Sequence, residues 1–405
     1  MAIEFIEGGV TASRGFQAAG IHCGIRKNKT KRDLAMIYSE TICDTASVYT
    51  QNKVKGSPIL VTKEHSKDGH AQAVIVNSGN ANTCNADGVE KANRMCKAAA
   101  DALHIREEDM IVASTGVIGQ PLPIEPILEH MDELVQSLSE NGSTQANEAI
   151  LTTDTMVKEV AVQFMLDGKE CHIGGISKGS GMIHPNMATM LGFLTSDVDI
   201  DYTILQKALG ACVTDTFNMV SVDGDTSTND MVTILANGAA GNHRITEEND
   251  DFKTFQDALM LVCQKLCRMI AKDGEGASKL LECRVVGIDT PTARKIAKSI
   301  VTSSLTKCAF YGADANWGRI LCAIGYCEGD FDISKTEVVL ESKKGSILVC
   351  ENGAGVAFSE EKAKEILLED EIIIHVNMHV GEGSATAYGC DLTHEYVTIN
   401  GDYRT

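Results

Sequence analysis

The run Lys178-Gly179-Ser180-Gly181-Met182-Ile183-His184-Pro185-Asn186-Met187-Ala188-Thr189-Met190-Leu191 places a threonine behind a small residue, at the end of a glycine-rich approach. A hydroxyl so placed can attack the carbonyl before it, and cleavage between Ala188 and Thr189 would make Thr189 a new chain N-terminus. A free α-amino group titrates near ~7.7–8.0, so the new amine could take the proton of its own hydroxyl at neutral pH. One residue would then supply both nucleophile and base. The competing reading is a plain glycine-rich turn, the commoner use of such sequence. A phosphate loop does not fit, because GxxxxGK[ST] must open a helix; here the lysine precedes the glycines and Pro185 interrupts the residues after them.

Other segments carry polar chemistry at turns. Ala113-Ser114-Thr115-Gly116-Val117-Ile118-Gly119 comes after the apolar Met110-Ile111-Val112. A strand ending in Thr-Gly can offer a hydroxyl and a backbone N–H, the two donors of an oxyanion hole, or simply end in a turn. Asn77-Ser78-Gly79-Asn80-Ala81-Asn82 reads as hydrogen-bonded scaffolding, with substrate binding as the alternative. In Val222-Asp223-Gly224-Asp225-Thr226-Ser227-Thr228-Asn229-Asp230 the twelfth position counted from Asp223 is Ile234 rather than glutamate, so a polar turn network is expected and calcium is not. Glu275 stands between Gly274 and Gly276 and could hold a substrate ammonium or face water. His375 and His379 are four apart in a strand-like run with no third ligand pattern, so no metal is expected. His184 could act as an acid or base, although a loop histidine without a visible partner is more often structural.

The elements that must position these residues are set by periodicity. Val89, Ala92, Met95, Ala99 and Leu103 mark one helix; Phe255, Leu259, Val262, Leu266 and Met269 mark another over 251–272; 201–216 and 291–305 read the same way. Val160, Val162, Phe164 and Leu166 share a strand face, and Asp167-Gly168 turns the chain into 169–176, a hairpin that delivers it to Lys178. A second hairpin is expected from 336–342 and 345–350, then a helix over 359–368 and a strand Glu371–Val380. From about residue 283 these form a smaller C-terminal unit.

A chain of 405 residues exceeds the roughly 250–300 at which one core stops growing, so two domains or two interleaved layers are expected. Hydrophobic residues make up 43% but aromatics only 5%, and there are 36 glycines, a profile that suits an α/β or α+β enzyme. The net charge of −20 argues against nucleic acid and anionic membranes as partners. The densest basic run, Arg26 to Arg32, reads as a solvated loop. Without a signal-like N-terminus or a membrane-length apolar run, a soluble cytoplasmic protein is expected. Its 14 cysteines, which include no CxxC pair, should be reduced and mostly small core residues, as Cys263 and Cys267 on one helix face illustrate.

Taken in order, Asn77–Asn82, Ser114–Gly119, Thr152-Thr153-Asp154-Thr155, Lys178–Leu191, Val222–Asp230, Asp273-Gly274-Glu275-Gly276, Asp314-Ala315-Asn316-Trp317-Gly318-Arg319 and Asn400–Thr405 resemble the ornithine acetyltransferases, glutamate N-acetyltransferases of the cyclic arginine pathway, over nearly the whole chain. The resemblance implies an α+β layered sheet/helix sandwich of the kind shared with self-processing aminopeptidases. It implies cleavage before Thr189 into an α chain, 1–188, and a β chain, 189–405, assembled as two αβ units. The main layered domain would span about 1–282 and the smaller unit about 283–395, with a tail, 396–405, returning to the active site. By position, Thr189 would be the nucleophile and Thr115 with Gly116 the oxyanion hole; Thr152, Lys178, Thr189, Glu275, Asn400 and Thr405 would contact the substrate. N2-acetylornithine would acetylate Thr189, glutamate would accept the acetyl group, and no cofactor would be needed. No phosphate-cradling motif decides whether acetyl-CoA is a second donor. The rivals are an aminopeptidase or amidase using the same threonine, in which water resolves the acyl-enzyme, and a cysteine-rich metal or redox protein.

Overall fold

The computed structural model describes residues 3–184 and 190–401. The expected cleavage site, Ala188 and Thr189, and the expected contact Thr405 lie outside the described residues.

The first sheet contains β1 (Glu4–Ile6), β2 (Phe16–Ile21), β3 (Leu34–Tyr49), β4 (His70–Asn80), β5 (Met110–Val117), β6 (Glu159–Leu166), β7 (Lys169–Lys178) and β8 (Leu191–Ser196). Beyond β9 (Val220–Ser221), which belongs elsewhere, it is completed by β10 (Met231–Ala236). Its order is β1-β6-β7-β8-β10-β3-β4-β5, with β2 paired to β3; β8–β10 and β4–β5 are parallel and the other pairs antiparallel. The 16-residue β3 joins two halves: its first part pairs with β2 and β4, its second with β10.

Alternation shows how the halves stack. Side chains of successive strand residues point to opposite faces. Val74, Val76, Ile111 and Ala113 of β4 and β5 share one buried core with Ile176, Leu191, Phe193, Met231 and Leu235 of β7, β8 and β10. The intervening residues face outward: Ala73, Ile75, Met110 and Val112 pack with Ala92, Met95 and Ala99 of the helix Gly88–Leu103. Leu194, Val232 and Ile234 pack with Leu259, Val262 and Leu266 of the helix Asp250–Lys272 and with Leu205 and Leu209 of the helix Tyr202–Asp215. The result is the layered α+β architecture expected from the sequence, with two sheet halves face to face and helices outside both.

A second sheet is built from β9, β11 (Leu280–Ile288), β12 (Glu337–Ser342), β13 (Gly345–Glu351), β14 (Ala354–Gly355), β15 (Glu371–Asn377) and β16 (Gly383–Cys390), ordered β14-β13-β12-β15-β11-β16-β9. It has its own core, in which Leu281, Cys283 and Val285 meet Ile296, Ile300 and Ile324. Two local expectations are corrected by this unit. The helix expected over 291–305 is two helices, Thr290–Thr302 and Ser304–Tyr311, because Ser303 adopts an extended conformation and caps the second with its side chain on the Thr306 amide. The strand expected to reach Val380 stops at Asn377, and His379 is left-handed (φ 54°).

Candidate active site

The chemistry-bearing residues collect at one end of the paired half-sheets. On β5, Thr115 has the parity of Ala113, and on β7, Lys178 has the parity of Ile176; both extend the inner-facing rows beyond the shared apolar core. A cleft there is lined by Thr115, Lys178, Gly181, Met190, Asn229 and Asp230. Lys178 pairs in register with Leu191 of β8, and Leu191 with Met231 of β10, so the cleft sits at the point where the chain re-enters the sheet after residue 189.

Gly116 has φ +129°, and an added Cβ would lie 2.3 Å from the carbonyl carbon of Gly79 on the neighbouring strand. Only glycine meets both conditions, the conformation and the close approach of β4. The register shifts at Gly79/Asn80, so that Asn80 faces both Thr115 and Val117 at the end of the ladder. Among the described residues the Thr115 hydroxyl has no hydrogen-bond partner, whereas its neighbour Ser114 donates to Asn77 at 2.6 Å.

Asn229 fixes this strand end. Its Nδ2 donates to the carbonyls of Ala81 (2.6 Å) and Ser114 (3.0 Å), and its Oδ1 accepts from the hydroxyls of Thr83 and Thr228, each at 2.6 Å. Three polar segments of the sequence, 77–83, 113–119 and 222–230, thus meet at one amide. The segment Asn77–Asn82 is the expected scaffolding: Asn77 Nδ2 donates to the Asn80 carbonyl, and Asn80 Oδ1 accepts from the Asn82 amide. Asp223 forms the expected polar turn network, its carboxylate accepting from the Met182 amide (2.6 Å), the Ile183 amide (2.9 Å) and the Tyr396 hydroxyl (3.2 Å).

Thr152 and Lys178 approach through Asp154. The Asp154 carboxylate accepts from the Thr152 amide at 3.0 Å, the Gly179 amide at 2.6 Å and Lys158 Nζ at 2.7 Å. Lys158 Nζ also donates to Asp273 at 2.5 Å, and all three side chains of this triad are buried. Burial alone would raise the Asp154 pKa, but Lys158 and Lys178 outweigh it and hold the carboxyl well below the usual range. Lys158 went unnoticed in the sequence; the available signal was its parity with the core residues Val160 and Val162, which aims a lysine inward.

Lys178 is different. Among the described residues its ammonium makes no hydrogen bond or ion pair, although the residue is only 8% exposed. Burial pulls its pKa down, the charge on Lys158 adds to this, and Asp154, Asp230 and Glu275 pull the other way. Asp230 Oδ2 is also buried without a partner among the described residues, and burial raises that carboxyl well above its ordinary range against the pull of Ser227, Lys178 and Thr50.

Glu275 and Asn400 are brought together: Asn400 Nδ2 donates to the Glu275 carboxylate at 2.7 Å. Gly181 makes room for that carboxylate, since an added Cβ would lie 2.3 Å from Glu275 Cδ. At Gly276 (φ +67°) an added Cβ would lie 2.6 Å from the Tyr396 amide, so the helix His394–Gly401 lies directly on this turn. His184 Nδ1 is 3.1 Å from the Ser221 hydroxyl, and burial, then the charge of Lys298, lowers its pKa to about 4, which keeps the ring neutral at pH 7. His375 Nε2 instead meets Glu341 at 2.8 Å on the second sheet. Among the described residues no group of three or more His, Cys, Asp or Glu side chains could hold a metal ion, and no helix is long and apolar enough to cross a membrane.

Comparison with known proteins gives a consistent assignment. The model of the ArgJ family matches residues 17–405. The arginine biosynthesis bifunctional protein ArgJ of Caldanaerobacter subterraneus subsp. tengcongensis is 49% identical over 405 residues, covering 100% of both chains. The protein of the same name from Thermotoga neapolitana is 47% identical over 396 residues, 97% of this chain and 99% of the other. A crystal structure of the arginine biosynthesis bifunctional protein argJ from Bacillus halodurans is 46% identical with a TM-score of 0.50; it covers 98% of that chain and 52% of this one.

Proposed function

This chain belongs to the ArgJ family, and from that premise we propose that it acts in arginine biosynthesis as an acetyltransferase, moving the acetyl group of N2-acetylornithine to glutamate through an ester on Thr189. The observation that carries the reading is the cleft at the start of β8. There a Thr115 hydroxyl and a Lys178 ammonium that bond nothing among the described residues line the point where the chain resumes after residue 189, with the constrained Gly116 next to Thr115 and the Glu275 carboxylate against Gly181.

In this mechanism the Thr189 hydroxyl, deprotonated by its own α-amine, attacks the acetyl carbonyl, and Thr115 and Gly116 donate to the developing oxyanion. Ornithine departs, glutamate enters, and its amine takes the acetyl group from the threonine ester. Both substrates present an α-amino acid head. Lys178 pairs with a carboxylate and Glu275 with an ammonium, with Thr152, Asn400 and Thr405 completing the contacts.

Two observations support cleavage before Thr189. Curated relatives align along their whole length, whereas the solved Bacillus halodurans chain aligns over 98% of its own length with only 52% of this chain, close to the share held by residues 189–405. Fragments cut there would also stay together, because β7 and β8 pair across the cut and the inner core draws on both. We assign residues 1–188 to an α chain and 189–405 to a β chain, associated as two αβ units in the cytoplasm. The main domain, about 1–282, would straddle the cut, and the smaller unit, about 283–395, would lie wholly within the second chain, with the tail 396–405 at the cleft.

Assaying N2-acetylornithine with and without glutamate tests the reaction. Ornithine release that requires glutamate, with N-acetylglutamate formed in equal amount, is expected. Ornithine release that ignores glutamate would identify a hydrolase of the same architecture.

A further inference from the structure

The transfer mechanism uses the α-amine of Thr189 as its base, but that amine exists only after the chain is cut. In the uncut chain the same nitrogen belongs to an amide, which is not basic. Cleavage therefore needs a different group, one that takes the proton of the Thr189 hydroxyl and returns a proton to the departing nitrogen. Asp230 is a buried carboxyl at the cleft that the transfer mechanism leaves without a role.

Asp230 is 2% exposed and lines the cleft together with Thr115 and Lys178. Its backbone is fixed on both sides: its carbonyl accepts from the Thr50 amide at 3.0 Å, and the following amide, Met231, donates to the Met190 carbonyl at 2.9 Å. β10 runs parallel to β8 with Met231 opposite Leu191, so one step back in the register sets residue 230 opposite residue 190, the neighbour of Thr189. The side chain, by contrast, is not used by the scaffold. Asn229 beside it has both amide atoms bonded, to Ala81, Ser114, Thr83 and Thr228, whereas Asp230 Oδ2 is buried with no partner among the described residues. A buried oxygen left unbonded is destabilising, and such atoms are rare outside sites of function.

The other titratable groups around the cleft are engaged or poorly suited. Asp154 is held by Lys158 and the Gly179 amide, Glu275 by Asn400, and Asp223 by the Met182 and Ile183 amides. His184, with its pKa lowered to about 4 and its Nδ1 at the Ser221 hydroxyl, is a weak base, and Lys178 as an ammonium has no lone pair to offer. Burial lifts the Asp230 carboxyl well above its ordinary range while Ser227, Lys178 and Thr50 pull back, so its ionised form is a stronger base than an exposed carboxylate. We propose that Asp230 is the proton relay of self-cleavage, taking the proton of the Thr189 hydroxyl and passing it to the nitrogen that leaves Ala188. The inference rests on the reading above that the chain is cut before Thr189. In the first step a C–O bond forms between the Thr189 oxygen and the Ala188 carbonyl carbon, the C–N bond of that peptide breaks, and the relayed proton completes the new amine. Water then hydrolyses the resulting ester, its oxygen entering the Ala188 carboxyl and one of its protons restoring the Thr189 hydroxyl. The cleft, about 20 Å³, has room for one such molecule.

The test follows processing of the full-length chain over time on denaturing gels, in the wild type, Asp230→Asn and Asp230→Ala, with urea unfolding of each. Both variants should fold, with urea midpoints at or above that of the wild type, because Oδ2 has no partner to lose. Their cleavage should be at least a hundredfold slower, and added formate should restore it in Asp230→Ala in proportion to its concentration, but not in Asp230→Asn, whose amide fills the space. Cleavage of Asp230→Asn at the wild-type rate would overturn the relay, as would a folded Asp230→Ala that ignores formate. Failure of Asp230→Asn to fold would also overturn it, by showing that the carboxylate is structural. The wild type keeps the two readings apart: if it folds and stays uncut, the reading of cleavage before Thr189 fails, whereas wild type and Asp230→Asn cut equally fast would remove only the relay.

Discussion

Two buried lysines at the two ends of one strand hairpin, Lys158 and Lys178, sit in opposite chemical situations. Lys158, with no exposed surface, is closed between Asp154 and Asp273 at 2.7 and 2.5 Å and ties the turn before β6 to the end of the helix Asp250–Lys272. Lys178, at the end of β7, has comparable burial and three carboxylates acting on it electrostatically, yet no ion pair among the described residues. A satisfied triad is scaffold, whereas a desolvated cation left open at the lip of a cleft carries an electrostatic cost that an anionic ligand relieves.

The largest expected effect breaks the closed side. Lys158→Met leaves two carboxylates facing one another without a cation, and removing one partner of a buried ion pair costs about 3–5 kcal/mol. Chemical denaturation should show that loss, with acetyl transfer reduced only in proportion to the unfolded fraction. If Lys158→Met were as stable as wild type, the contrast between the two lysines would collapse.

Next comes the hydroxyl facing the open side. Thr115→Val keeps the shape of the strand end and removes one donor to the developing oxyanion, worth about 2.7–4 kcal/mol in the barrier, or on the order of 10²–10³ in kcat. Because that hydroxyl bonds nothing among the described residues, the melting temperature should scarcely move. Lys178→Met should sharpen the comparison further: stability is retained or improved by removing an unpaired charge, while KM for both amino-acid substrates rises about tenfold or more, the worth of roughly 1.5–3 kcal/mol for a hydrogen bond to a charged group. Parallel loss of stability at Lys178 and Lys158 would mean that both are structural.

The smallest effect is read by pH. His184, beside the open cleft, titrates at about 4 when folded and near 6.5 when unfolded, so its contribution is intact above pH 6.5 and is lost as pH falls from 6.5 towards 4. Asp154 on the closed side has a folded pKa depressed below its unfolded value near ~3.9, so the triad's contribution is kept above that pH and lost only in stronger acid. Urea midpoints should therefore decline modestly between pH 6.5 and 4.5 in the wild type and stay flat over that window in His184→Asn, with both declining below pH 4. An identical decline in the two proteins would remove His184 from the account.

Much of this contrast was legible in the sequence, and the rest was hidden for a physical reason. Periodicity located the helices around Met95 and Leu259 and the hairpin that ends at Lys178, because each depends on neighbours a few residues away. Thr115 and Gly116 stood out as a strand end, and Glu275 as a carboxylate between glycines. Lys158 did not, and although Asp273 and Asn229 lay in segments singled out for their polarity, their pairings were hidden because the partners are remote: Asp273 is 115 residues from Lys158, and Asn229 is 146 from Thr83. Only tertiary structure pairs such residues, and a lysine just before β6 with the inward parity of its strand was the one local hint. The basic run 26–32 reads as a solvated loop because the residue that organises it, Asp33, whose buried carboxylate accepts from the Cys23 and Arg26 amides, looks in sequence like one more acidic neighbour.

The proposed reaction stands on Thr189, exposed by cleavage, carrying the acetyl group. Intact-mass and fragment analysis of the active enzyme, denatured during turnover with N2-acetylornithine and no glutamate, tests it most directly. Two chains are expected, residues 1–188 and 189–405, with one acetyl group on the first residue of the second and none in Thr189→Ala, which should run as a single inactive chain. A fully active, uncut chain of 405 residues, or acetyl label on any other residue, would contradict it.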